Sequence, residues 1–121
     1  VSSPRPRRGE RWERHAESQL VAQGLTCVAR NHSCRGGEID LVMLADDSLV
    51  FVEVRYRRGT SHGSAAESID ARKQRRLIRA AEDFLMRHPQ FANHACRFDV
   101  MAMYGDASHP QCDWIAGAFS A

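Results

Sequence analysis

Residues 38–56 read EIDLVMLADDSLVFVEVRY, two runs of largely apolar residues either side of the Asp46-Asp47 pair. Alternation predicts a strand over 38–44, a turn at the two aspartates, and the strongest strand of the chain over 48–56, where β-branched and aromatic residues concentrate. A link this short makes the pair an antiparallel hairpin. Upstream, Trp12, Ala16 and Leu20 recur every four residues between polar neighbours, which predicts a helix over about 9–23, stopped by Gly24. A short strand over 25–30 and a turn-rich segment over 31–37 lead into the hairpin. Downstream, a loop holding Gly59, His62 and Gly63 precedes a long helix over about 65–87. Its apolar stripe is Leu77, Ile78, Ala81, Phe84 and Leu85, and His88-Pro89 ends it. A strand over 96–104 follows, then an apolar piece over 114–119 that reads as strand or helix. The order α-β-β-β-α-β, with one hairpin and one helical crossover, predicts an α/β fold: a mixed central sheet flanked by helices.

The chain has 121 residues, enough for one hydrophobic core and too few for two. Residues 1–8 read as a basic arm and 9–121 as a single domain. No window approaches the roughly 18 unbroken apolar residues of a membrane span, and no apolar run follows the arm as in a secretory leader. The net charge of +2 is too mild to identify a nucleic-acid binder. Its distribution says more: basic residues bunch at Arg5, Arg7, Arg8 and Arg11, at Arg55, Arg57 and Arg58, and from Arg72 to Arg79. Lys73 is the one lysine in the chain. Arginine suits bidentate phosphate contacts, and a GC-rich genome explains the same bias. Cys27, Cys34, Cys96 and Cys112 show neither a C-x-x-C pair nor zinc-ligand spacing, so they read as reduced thiols of a cytosolic protein.

Three acids stand where a core strand does not favour them. On an alternating strand Glu38 and Asp40 share one face, with Ile39, Leu41 and Met43 on the other. Glu53 and Arg55 likewise point to one side, with Val50, Val52 and Val54 opposite. Hairpin pairing brings Asp40 and Glu53 toward one spot, and two carboxylates with a backbone carbonyl and water make a suitable oxygen site for Mg²⁺. The competing explanation is an ion pair of Glu53 and Arg55 with Asp40 on a solvated sheet face.

These residues, taken in order, resemble a known family. Gly9, Glu13, Ala16, Leu20 and Gly24 of the first helix, Arg30-Asn31, Gly37-Glu38-Ile39-Asp40-Leu41, Val50-Phe51-Val52-Glu53-Val54-Arg55 and Arg97-Phe98-Asp99-Val100 look like the YraN-like family of small bacterial proteins. That family is similar to archaeal Holliday-junction resolvases and so to the PD-(D/E)xK nucleases. The resemblance spans about 9–119 and implies a restriction-endonuclease-like fold. It implies that Asp40 and Glu53 bind Mg²⁺ (or Mn²⁺), with the Val54 carbonyl as a further ligand. It also implies a catalytic role for Glu13, the acid on the first helix, and for Gln74, a polar residue of the crossover helix. Gln74 lies three before Leu77 and four before Ile78, so it extends the buried stripe; it equally reads as the polar end of that stripe.

The motif's lysine falls on Arg55. Arginine keeps the positive charge that stabilises a phosphoryl transition state but stays protonated and cannot act as a base. Two functions follow. One is a metal-dependent DNA endonuclease, with branched or junction DNA as a candidate substrate, Asp40, Glu53, Glu13, Gln74 and Arg55 forming its site. The other is a nucleic-acid-binding or protein-interaction module whose cleavage is impaired by Arg55. In both, Arg8, Arg11, Arg57, Arg58, Arg72, Lys73 and Arg76 are the expected phosphate contacts. The five basic residues of 72–79 cannot all share one helix face, so two or three of them are expected to reach DNA. The resemblance also implies a homodimer, since a four-way junction needs two symmetric cuts.

Overall fold

The structure is a computed structural model that describes residues 9–57 and 69–121. The basic arm with Arg8, the loop with Gly59, His62 and Gly63, Arg58 and the expected helical residues 65–68 lie outside the described residues. The elements run α1 (Glu10–Ala22), β1 (Thr26–Cys34), β2 (Gly37–Ala45), β3 (Ser48–Tyr56), α2 (Ala71–Arg87), a 3₁₀ turn (Pro89–Phe91), β4 (Ala95–Asp106) and β5 (His109–Phe119). They form one five-stranded sheet in the order β1-β2-β3-β4-β5. β3 and β4 pair in parallel and the other neighbours pair antiparallel. A parallel pair needs a crossover, and α2 supplies it. This is the expected mixed sheet flanked by helices, compatible with a restriction-endonuclease-like fold.

Each helix covers one face. Ala16 and Leu20 of α1 pack on Leu41, Met43, Val50, Val52, Met101 and Met103. Leu77, Ala80, Ala81 and Phe84 of α2 pack on Ile39, Val42, Leu49, Phe51, Phe98 and Val100. Residues 49–52 are therefore buried without a break, as a central strand covered on both faces requires. Odd-numbered residues of β3 face α2 and even-numbered ones face α1, which puts Glu53 and Arg55 beneath α2 and Val50, Val52 and Val54 on the α1 side.

Three expectations are corrected. The segment over 31–34 is strand rather than turn: β1 pairs through Ser33 and Cys34, and Asn31 takes a left-handed backbone (φ 53) within it. The turn shrinks to Arg35-Gly36, with Gly36 at φ 100. Helix α2 starts at Ala71 instead of 65, because the Asp70 carboxylate accepts from the Lys73 N–H at 2.8 Å and caps it. Ile39 and Leu41 do not share a face: they lie in opposite cores, so alternation breaks at Asp40.

The last piece is strand β5, started by an Asp106 carboxylate that accepts from the N–H groups of Ser108 and His109. Buried Asp99 holds it in place across the β4–β5 bulge. Its carboxylate accepts from Trp114 Nε1 at 2.8 Å, the Gly117 N–H at 2.9 Å and Arg97 Nε at 3.1 Å.

Candidate functional site

The break at Asp40 opens the site. The β2–β3 ladder stops at the Leu41↔Val52 pair. One step further, the Val54 N–H donates to the Asp40 side chain (Oδ2, 2.8 Å). A carboxylate thus replaces a strand neighbour, and it draws Asp40 onto β3 beside Glu53.

Both helices begin at this end of the sheet. A cleft of about 260 Å³ is lined by Gly9, Trp12 and Glu13 from the start of α1, Glu38 and Asp40 from β2, Glu53, Val54 and Tyr56 from β3, and Lys73 from the first turn of α2. The rings of Trp12 and Tyr56 stack at its edge with centroids 4.2 Å apart. A larger cleft of about 440 Å³ adjoins it through Glu13. There the acids already have partners, Glu17 with Arg30 and Glu10 with Arg14.

Glu53 is 5% exposed. Lys73 Nζ lies 3.3 Å from its Oε2, and Arg55 Nε lies 3.6 Å from the same oxygen. Burial pushes the Glu53 carboxyl up to about 8, reinforced by the negative charge of Asp40 and a hydrogen bond with it; Lys73 and Arg55 pull the other way. The outcome is a buried Glu53 carboxyl that holds its proton more tightly than usual, with two cations against it. Among the described residues no three His, Cys, Asp or Glu side chains gather into a cation cage. Hard oxygen donors come from Asp40, Glu53 and the backbone beside them.

The sequence-derived residues divide accordingly. Asp40, Glu53, Val54 and Glu13 line the cleft, and Arg55 lies against Glu53. Gln74 donates through Nε2 to the Ile69 carbonyl at 3.0 Å, tying down the chain ahead of α2. Lys73, expected among the phosphate contacts, is in the cleft against Glu53. The signal for it was present: Lys73 lies four before Leu77 and seven before Ala80, nearer the centre of the buried stripe than Gln74. Arg11, Arg57, Arg72 and Arg76 are exposed. No helix of the described residues is long and apolar enough to cross a membrane.

Comparison with known proteins gives one consistent result. The model of the uncharacterised protein family UPF0102 matches residues 12–103. A UPF0102 protein of Stutzerimonas stutzeri is 50% identical over 111 residues, covering 92% of each chain. One from Aeromonas hydrophila is 50% identical over 115 residues, covering 94% of this chain and 85% of the relative. One from Alcanivorax borkumensis is 48% identical over 112 residues, covering 92% and 90%.

Proposed function

The chain belongs to the uncharacterised protein family UPF0102, and from that premise we propose that it is a Mg²⁺-dependent (or Mn²⁺-dependent) endonuclease that hydrolyses DNA phosphodiester bonds, with branched or junction DNA as a candidate substrate. The observation that carries this reading is the ammonium of Lys73 at 3.3 Å from Glu53, beside Asp40. A carboxylate pair with a lysine against it is the chemistry that the motif's Arg55 had left incomplete.

The donor set suits a divalent cation. Mg²⁺ is commonly held by one or two carboxylates plus waters and substrate phosphate, which Asp40, Glu53 and the Val54 carbonyl match. Such an ion, when bound, lowers the pKa of a water and offsets charge on the phosphoryl oxygens. Around it the protein's own groups divide the work. Asp40 and Glu53 hold position because one is hydrogen-bonded to the Val54 N–H and the other is buried under α2. Lys73 orients the attacking water and stabilises charge developing on the phosphate, and its ammonium, unlike a guanidinium, can exchange a proton. Arg55 adds fixed positive charge against Glu53. Glu13 contributes an acid from α1 on the far wall. Arg8, Arg11, Arg57, Arg58, Arg72 and Arg76 contact backbone phosphates, giving affinity without sequence readout. The impaired-module reading depends on Arg55 standing at the lysine position, and Lys73 answers that objection.

The test is incubation of the protein with labelled duplex, single-stranded, flap and four-way-junction DNA in Mg²⁺ and in Mn²⁺, beside Asp40→Ala, Glu53→Ala, Lys73→Met and Arg55→Lys. Metal-dependent cleavage is expected, abolished by the first two substitutions. Lys73→Met is expected to lower the rate by about 10²-fold or more, as loss of a transition-state donor does. Binding without cleavage in either metal, turned into cleavage by Arg55→Lys, would establish the impaired module instead.

A further inference from the structure

Helix α2 carries a second charged feature on a face that the carboxylate cleft does not use. Arg72, Arg75, Arg76 and Arg79 recur at i, i+3, i+4 and i+7 and therefore form one stripe. Four of the five basic residues of this segment thus share a face, more than the two or three expected, and Lys73 is the one that turns away. The stripe lines a separate cleft of about 220 Å³, completed by Gly36 of the β1–β2 turn. The two clefts have no lining residue in common.

Two observations make this more than a solvated helix face. Arg14, Arg30, Arg87 and Arg97 each have a carboxylate partner. Among the described residues none of the four stripe arginines has one. Guanidiniums gathered this way repel one another until an anion lies between them. The second is how tightly the β1–β2 turn is built onto the stripe. A Cβ on Gly37 would collide with the Arg76 carbonyl oxygen, so the turn sits directly on the α2 backbone. A Cβ on Gly36 would lie 3.4 Å from Arg79 Nη1, so the turn also comes against the Arg79 side chain. The turn supplies a wall and no competing acid.

We infer that the arginine stripe and the β1–β2 turn form a second site, which takes the phosphodiester backbone of double-stranded DNA. Seven residues of helix span roughly 10 Å, the rise of about three nucleotides along one strand of a duplex. A helix is itself roughly 10 Å across, so one strand at the carboxylate cleft leaves the stripe beside another stretch of backbone. The inference rests on the DNA reading above and deepens it by naming duplex as the form that is gripped.

Binding in EDTA separates the two readings, because it needs neither metal nor cleavage. Affinity for a labelled duplex and for a single strand is measured over a series of salt concentrations. The double variant Arg75→Gln/Arg79→Gln is expected to bind duplex about tenfold less tightly, with the log–log salt slope smaller by about 2, one for each lost phosphate contact. The control Arg14→Gln/Arg87→Gln removes the same charge from two acid-paired arginines elsewhere and is expected to keep nearly the parent's affinity and slope. Melting curves verify that both variants are folded. Unchanged duplex binding in the stripe variant, an equal loss in the control, or no duplex binding by the parent overturns the inference. A single-strand loss as large as the duplex loss overturns the duplex assignment. Failure of the endonuclease reading is distinct: duplex is gripped through the stripe and is left uncut when metal is added.

Discussion

At Glu53 burial and a neighbouring carboxylate both oppose charge, while Lys73 and Arg55 favour it, and opposition prevails: the carboxyl is raised from 4.5 to about 8. A carboxyl raised on folding keeps a proton that the unfolded chain gives up. Its contribution to stability is complete below about 4.5 and is lost as pH climbs through about 8. The metal-free protein is therefore expected to melt at falling temperature across that window, and Glu53→Gln is expected to flatten the decline. At the proposed metal site added Mg²⁺ is expected to compete with the proton, so that its stabilising effect grows over the same range. Melting curves at several pH values, with and without metal, check both; a decline unchanged in Glu53→Gln would assign the titration to another group. Of this residue set, the strand acids were legible as acids on strands, whereas the contact of Lys73 with Glu53 was not. Five basic residues close together look alike in sequence, and only the placement of α2 over β3 distinguishes the one that meets Glu53.

Among the elements, β5 depends most on a single side chain. The strand is at the sheet edge and its register shifts between Phe98 and Val100, where Asp99 gathers donors from Trp114, Gly117 and Arg97. Asp99→Ala removes a buried charged acceptor from donors on the exposed or half-buried residues Trp114, Gly117 and Arg97, so a loss of about 1.5–3 kcal/mol is expected in urea unfolding. A cost under about 1 kcal/mol, within the range of ordinary surface changes, would show that the β4–β5 ladder holds without the clamp. The three donors explain why an acid stands in the Arg97-Phe98-Asp99-Val100 run: it ties β5 to β4 and does not line the carboxylate cleft. Over 114–119 the apolar pattern was too short to separate strand from helix, and pairing with β4 decided it. The β1 boundary was misread for a related reason. Asn31 and the glycines look like turn residues, yet pairing with β2 carries the strand through Cys34.

At the scale of the whole molecule, β3 joins two cores that otherwise lie on opposite faces of the sheet: Phe51 belongs to the α2 side and Val52 to the α1 side. Because one strand serves both, the domain is expected to unfold in one transition. Leu20→Ala on the α1 side and Leu77→Ala on the α2 side should each lower that transition by about 2–5 kcal/mol. Fluorescence and circular dichroism following the same urea curve in both variants check it; separate midpoints for the two probes would mean that the faces melt independently.

The sequence by itself determined the class of fold, the central hairpin and the helices that flank it, because alternation and helical spacing are local properties of the chain. It also determined that carboxylates stand on the paired strands and that the chain resembles a known family. Only the tertiary structure decided where alternation stops at Asp40, which basic residue of α2 joins Arg55 at Glu53, and that four arginines gather around the β1–β2 turn. Those outcomes depend on contacts between segments far apart in the chain, and strand splay, helix placement and the desolvation of Glu53 arise only when the sheet and both helices close on one another.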